Sequence, residues 1–328
     1  MVPKTMRAAL TAAVGLTTAL VLAAPPLAAA APLAPPVTGV TQSPQVRQLS
    51  PADAEEFWTA ERMRSAKPLI QNVKESPEAP KDASPILTPG GDRWGNAFVA
   101  RPYTGSFNSR VTGKIYAIDP RTGGEFYCSG SVMNSSGRSV VSTAAHCVFL
   151  GGPSQHVWAE NLIFVPSYDN GDTPLGIWAA ATYWIPTSYF NHGNDTFTHE
   201  DDVASVAIQQ LNGQRITDVV GGLGWVVNNS GTINGFTTHG YPLEVYTGED
   251  QLWCRGNGRD VGGLNGVTYL FTNNCVAFGG WSGGPVINGS NQLLAVVSGS
   301  DRFTNSFYAR AASNTWVPVV DAAQAAGF

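Results

Sequence analysis

The sequence predicts an all-β fold of antiparallel barrels or sandwiches, closed by one C-terminal helix. Three observations predict it. The 328 residues are 43% hydrophobic but only 13% charged, with 36 glycines, a texture of many tight turns between β-forming residues. From about residue 93, short apolar runs alternate with turns, at 110–118, 127–133, 139–144, 161–165, 203–208, 232–239, 267–271, 286–287 and 293–298. The turn markers between them include Pro120-Arg121-Thr122-Gly123-Gly124, Ser136-Gly137, Asn170-Gly171-Asp172 and Asn288-Gly289. Finally, 314–326 carries Trp316, Val319, Val320 and Ala323 at helical spacing, with Pro318 tolerated only in the first turn.

The chain opens with a secretory-signal pattern over 1–30. Lys4 and Arg7 precede an uncharged, mostly apolar run at 8–24, Pro25 and Pro26 end it, and Ala28 to Ala31 offer a small-residue cleavage site. A membrane anchor is the alternative; the run is dominated by Ala and Thr, and no charged stop-transfer flank follows. Residues 31–48 are rich in Pro, Ala and Thr, and extended or disordered chain is expected there. One short helix follows, with Ser50 as N-cap, Pro51 at the first position, and Asp53, Glu55 and Glu56 near its N-terminus, running to about Ala66 before Pro68. Phe57, Trp58 and Met63 give it an apolar face. A linker with Pro77, Pro80, Pro85 and Pro89 leads to the β-rich body at 93–328. The stretch 31–92 reads as a pro-segment, with a permanent N-terminal arm as the alternative.

The net charge of −5 argues against nucleic acid as a partner. Four cysteines in an exported chain make two disulfides. Three pairings are open. Proximity in sequence favours Cys128–Cys147 and Cys254–Cys275.

Two strings carry chemistry. Ser142-Thr143-Ala144-Ala145-His146-Cys147 sets a histidine beside a cysteine at the end of an apolar strand, a rigid mount for a general base. Gly280-Trp281-Ser282-Gly283-Gly284-Pro285 flanks a serine with glycines, so the backbone can turn sharply and present amides; Gly280 and Ser282 are the candidate oxyanion donors. The same string fits the G-x-S-x-G elbow of α/β-hydrolases, but in that fold the histidine follows the serine, and here the last histidine is His239. The order is therefore His, acid, Ser. Asp202, at the mouth of the apolar run 203–208, is the expected acid, with Asp201 and Asp195 as competitors.

These strings closely resemble the signatures of chymotrypsin/trypsin-like serine proteases. Cys128-Ser129-Gly130-Ser131 and 140–147 resemble the first-barrel signature, Asp202-Val203-Ala204 the acid motif, 280–285 the serine motif, and 294–299 the wall of the specificity pocket. The resemblance implies two antiparallel six-stranded β-barrels, at about 93–215 and 216–312, with a helix at 314–326. It implies catalysis by His146, Asp202 and Ser282 through an acyl-enzyme, without a metal or other cofactor. His239-Gly240-Tyr241-Pro242 and the spacing of Cys254 and Cys275 resemble the bacterial glutamyl-endopeptidase branch. The implied protein is a secreted, monomeric serine endopeptidase, made as a zymogen, acting on protein or peptide substrates and free of the membrane once its signal is removed.

The chain departs from the family in two places. Trp281 stands where the family has an acid before the serine, and Val297 stands where the glutamyl-specific branch has a histidine. The expected pocket residues are Val276, Ala277 and Ser298; no Asp lies near 276–278, so a small or apolar side chain before the scissile bond is expected. Trp281 is also the best support for the alternative function, a catalytically inactive relative that only binds. A metal-dependent hydrolase using His192, Asp195 and His199 is a third reading, without the helical H-E-x-x-H spacing that would favour it.

Overall fold

The computed structural model describes residues 39–69, 91–193, 201–227, 232–262, 268–272, 274–300, 306–310 and 314–328. The N-terminal arm comprises strand β1 (Val40–Gln42), helices α1 (Pro51–Phe57) and α2 (Ala60–Ser65), and strand β2 (Lys67–Pro68). Ser50 caps α1 by accepting from the Asp53 amide at 3.2 Å. The single helix expected over 50–66 is two. Thr59 divides it: its backbone is extended (φ −67°, ψ 159°) and its hydroxyl accepts from the Arg62 amide, so it caps a second helix rather than continuing the first. Part of the stretch expected to be extended or disordered is also a strand, β1, paired from Val40 opposite Pro186 to Gln42 opposite Trp184.

The body continues with β3 (Asn96–Phe98), α3 (Phe107–Val111), β4 (Thr112–Asp119), β5 (Gly124–Met133), β6 (Val140–Thr143), β7 (Glu160–Pro166), β8 (Trp178–Pro186), α4 (Thr187–His192), β9 (Ala204–Ile208), α5 (Ile216–Val220) and β10 (Gly224–Trp225). Then come β11 (Ile233–Gly240), β12 (Leu252–Gly262), β13 (Thr268–Thr272), β14 (Pro285–Ile287), β15 (Gln292–Ser300), β16 (Ser306–Arg310) and α6 (Trp316–Ala325).

Two antiparallel barrels of six strands close on themselves. In the first, the order β7-β4-β5-β6-β9-β8 returns from β8 to β7. In the second, β14-β11-β12-β13-β16-β15 returns from β15 to β14. Closure leaves no free edge within either ring. β3 precedes the first barrel in sequence but pairs with β12 of the second, so the boundary expected at residue 93 moves: the first barrel begins at Thr112.

The alternation along β4 explains the layers. Ile115 and Ala117 point into a core shared with Val141, Phe164 and Val206. Tyr116, between them, points the other way, into a second cluster with Tyr127, Tyr168, Tyr241 and the arm residues Ala54, Trp58 and Met63. The arm thus covers the outer face of β4, β5, β7 and β8, which is why β4, β5 and β7 read as continuous apolar runs instead of clean alternations. Trp58 is fully buried and its indole donates to the Asn161 carbonyl at 2.9 Å. Phe57 is half-buried, with the Arg62 guanidinium 3.6 Å over its ring. Helix α6 buries Trp316, Val319, Val320 and Ala323, the four residues of its expected face.

Both disulfides pair as proximity favours, Cys128 with Cys147 and Cys254 with Cys275.

Candidate active site

Strand β6 ends at Thr143, and the chain turns at once into a short 3₁₀ turn over Ala145–Cys147. The disulfide ties Cys147 back to Cys128 on β5, so the turn carrying His146 is fixed at both ends. Asp202 lies just before β9, the neighbour of β6 in the barrel. Its two oxygens divide the work. Oδ1 accepts from the His146 amide at 2.9 Å, and Oδ2 lies 2.7 Å from His146 Nδ1. The Ser298 hydroxyl, on β15 of the second barrel, donates to Oδ2 at 2.6 Å.

Burial alone would push the Asp202 carboxyl up. The charge of His146, hydrogen bonds from its ring and from Ser298, and the His146 amide together hold it below its ordinary value. An ionised carboxylate only accepts, so the proton of a neutral His146 sits on Nδ1 and Nε2 keeps its lone pair. That Nε2 is buried and has no hydrogen-bond partner.

Ser282 sits in the turn before β14. The Trp281 amide donates to Phe278 O at 3.0 Å, the Gly284 amide to Trp281 O at 2.8 Å, and the Gly283 amide to Val297 O at 2.7 Å. Among the described residues, no hydrogen bond engages the amides of Gly280 or Ser282. Two unspent amides flanking Trp281 are what an oxyanion would need. The first barrel grips this turn through Ser129: its amide donates to Ser282 O at 2.8 Å and its hydroxyl to Gly280 O at 2.8 Å. Cys147 Sγ lies 3.8 Å from Ser282 O, which brings the serine turn against the turn of His146.

The glycines are required here. Gly280 has φ +97° and Gly283 φ +79°, and a Cβ at 283 would meet Thr143 Oγ1 at 2.0 Å. Trp281 is fully buried in the second-barrel cluster with Leu252 and Val286, and Gly240 and Gly284 leave room for its indole. Its apolar setting gives the missing acid a packing reason.

No family model matches the chain, and neither does any curated protein sequence. Solved structures do. The protease Anisep from Arthrobacter nicotinovorans is 27% identical, covering 68% of this chain and 97% of its own, with a TM-score of 0.57. The thermostable serine protease AL20 from an extremophilic microorganism is 24% identical over 68% of this chain and 99% of its own, TM-score 0.55.

The chain has the chymotrypsin-like serine-protease fold.

A Glu endopeptidase superimposes equally well, with a TM-score of 0.55, 19% identity, and coverage of 73% of this chain and all of its own. Similarity to serine proteases supports a protease function for this fold.

The remaining expected site residues fall as follows. Asp201, the rival acid, turns away from His146 and pairs with His192 Nε2 at 2.9 Å. Asp195 and His199 lie outside the described residues. Among the described residues, one cluster, Cys128, His146 and Cys147, has metal-ligand spacing, and its sulfurs are bonded to each other. Val276 and Ala277 are buried, with the Val276 carbonyl accepting from Asn96 Nδ2 at 2.8 Å and the Ala277 amide donating to Ser306 Oγ at 2.7 Å. Ser298 was expected in the specificity pocket; its hydroxyl is directed to Asp202. On sequence Ser129 belongs to the first-barrel string 128–131, and no local pattern marks it as the clamp on the serine turn.

Proposed function

We propose that this chain is a secreted serine endopeptidase that hydrolyses peptide bonds through an acyl-enzyme on Ser282. The observation that carries the reading is the buried Asp202, which holds His146 with the Nε2 lone pair unspent, beside a serine turn with two unspent amides. Ser282 Oγ attacks the scissile carbonyl carbon while His146 Nε2 takes its proton. The carbonyl electron pair moves to oxygen, where the Gly280 and Ser282 amides receive it. Collapse of this intermediate breaks the C–N bond, and His146 returns the proton to the leaving amine. Water, deprotonated by the same Nε2, then cleaves the ester and regenerates Ser282. Asp202 stabilises the imidazolium in both halves, and no step calls on a metal or other cofactor.

Secretion rests on the signal pattern at 1–30 and on two disulfides, which suit an oxidising compartment. Residues 31–92 are the proposed pro-segment of a zymogen, cut from the body on activation but held on it through Trp58 and Met63. A small or apolar residue before the scissile bond fits the apolar Val276 and Ala277. Trp281 is accounted for by packing, so it gives no weight to an inactive binding protein.

Labelling with a fluorophosphonate probe tests the reading. The wild type should be modified at Ser282, and Ser282→Ala should lose both labelling and peptide hydrolysis while keeping its circular dichroism. Residual hydrolysis above about a hundredth of wild type would refute Ser282 as the nucleophile.

A further inference from the structure

Lys114, on β4, has a fully buried side chain in the first barrel. Its Nζ donates to Gly248 O at 2.9 Å and to Glu249 Oε1 at 3.1 Å. Around it stand aromatic faces: Tyr127 at 3.9 Å, Tyr168 at 4.5 Å and Tyr116 at 4.9 Å from Nζ to ring centroid. The Tyr168 hydroxyl donates to the other oxygen of Glu249. Trp58 of the arm covers Tyr116, with ring centroids 5.6 Å apart. A desolvated ammonium is costly to hold, and an apolar side chain would fill this space more cheaply. The cage therefore asks for a reason beyond packing.

The reason lies in what the ammonium holds. Gly248 and Glu249 belong to the loop between β11 and β12, which comes from the second barrel. The loop closes on itself through Gly248 N to Pro242 O at 2.8 Å, and it reaches the serine turn through Leu243 N to Gly279 O at 2.8 Å. Tyr127 makes a second, direct path. A Cβ on Gly248 would meet its hydroxyl at 2.3 Å, and a Cβ on Gly280 would meet its ring at 2.5 Å. One side chain of the first barrel thus fixes both the loop and the ring that bound Gly280.

We propose that Lys114 is a positioning residue for the oxyanion-binding amide of Gly280, acting through the 242–250 loop and the Tyr127 ring. The inference rests on the reading of Ser282 as nucleophile. Because the Gly280 amide meets charge only as the oxyanion forms, loosening it lowers kcat and leaves KM nearly unchanged.

The charge of Lys114 provides a signature. Burial pushes its ammonium down to about 8, while Glu249 pulls it up. The other groups facing it are Tyr116 on β4, Tyr127 on β5, Tyr168 after β7 and Tyr241 after β11; burial holds all four phenols above their ordinary value, so they stay neutral there. As pH rises through about 8, Lys114 loses the charge that holds Glu249.

The test uses the secreted protein after activation, with its N-terminal arm in place. A separate portion of wild type is labelled with a fluorophosphonate to identify Ser282, and kcat and KM are measured on unlabelled enzyme with fluorescein-labelled casein from pH 6 to 10 for wild type, Lys114→Met and Glu249→Gln. Lys114→Met should keep its melting temperature within a few degrees and lose about tenfold to a hundredfold in kcat at constant KM. The wild-type kcat should carry an alkaline limb that Lys114→Met lacks, and Glu249→Gln should move that limb to lower pH. If Lys114→Met does not fold, the Glu249→Gln shift decides. Where the labelled portion carries the probe on Ser282, unlabelled wild type with no alkaline limb, or with a limb that Glu249→Gln leaves in place, or Lys114→Met folded and within twofold in kcat, overturns the role of Lys114 alone. Wild type that is not labelled at Ser282 overturns the protease reading and this inference with it.

Discussion

Ser298→Ala removes one oxygen from the centre of the site and leaves its shape intact. In the structure that oxygen donates at 2.6 Å to Asp202 Oδ2, the same atom that faces His146 Nδ1 at 2.7 Å. Asp202 is 1% exposed, so water cannot readily replace the lost donor. A hydrogen bond to a buried charged group contributes about 1.5–3 kcal/mol, and the variant should lose that much stability at neutral pH. The pH dependence gives the mechanism away. Asp202 is held below its ordinary value, so its stabilising contribution is complete above the unfolded value of about 3.9 and is lost as pH falls through the folded value. Removing the Ser298 donor raises the folded value, so this loss begins at higher pH in the variant. The difference between variant and wild type should then shrink at the acid end, where a protonated carboxyl has less need of a donor. Urea melts between pH 3 and pH 8, with kcat and KM at neutral pH, are the assay. We expect kcat to fall about tenfold as the imidazole loses its fixed support. A stability loss under about 0.5 kcal/mol at neutral pH, or an equal loss at every pH, would refute the argument.

Three further outcomes follow from the packing and from the first disulfide. Trp58→Ala should cost about 3–5 kcal/mol, read from chemical unfolding, because a fully buried indole and its bond to Asn161 O are both lost; for the same reason, a chain cut within 70–90 should keep its N-terminal fragment on size exclusion, and release of that fragment in plain buffer would count against the arm as part of the first barrel. The double variant Cys128→Ser/Cys147→Ser opens a loop with a sequence separation of 19 and should lose about 3 kcal/mol, with a fall in activity because the turn of His146 loses its tether.

The sequence by itself determined a good deal. Strands with β-branched or aromatic runs, such as Val140–Thr143 and Ala204–Ile208, were legible from local pattern, because their preferences and their burial agree. So were α6, the two disulfides and the strings around His146 and Ser282, each carried by neighbouring residues. The strands that escaped notice lack that agreement. β8 runs through Ala179-Ala180-Ala181, and β12 through Gly256-Asn257-Gly258; each is a strand because the barrel needs a partner at that edge. The pairing of β3 with the second barrel was likewise decided by what lay alongside. At the site the division is sharpest. Asp201 and Asp202 are neighbours in the chain, yet one faces His192 and the other His146, a choice set by the direction in which the backbone enters β9. Ser298 on Asp202, Ser129 on the serine turn and Lys114 on Glu249 join residues 96, 151 and 135 positions apart. Local sequence specifies local conformation and the residues able to do chemistry. Which of them meet is decided only when the two closed barrels bring distant strands into register.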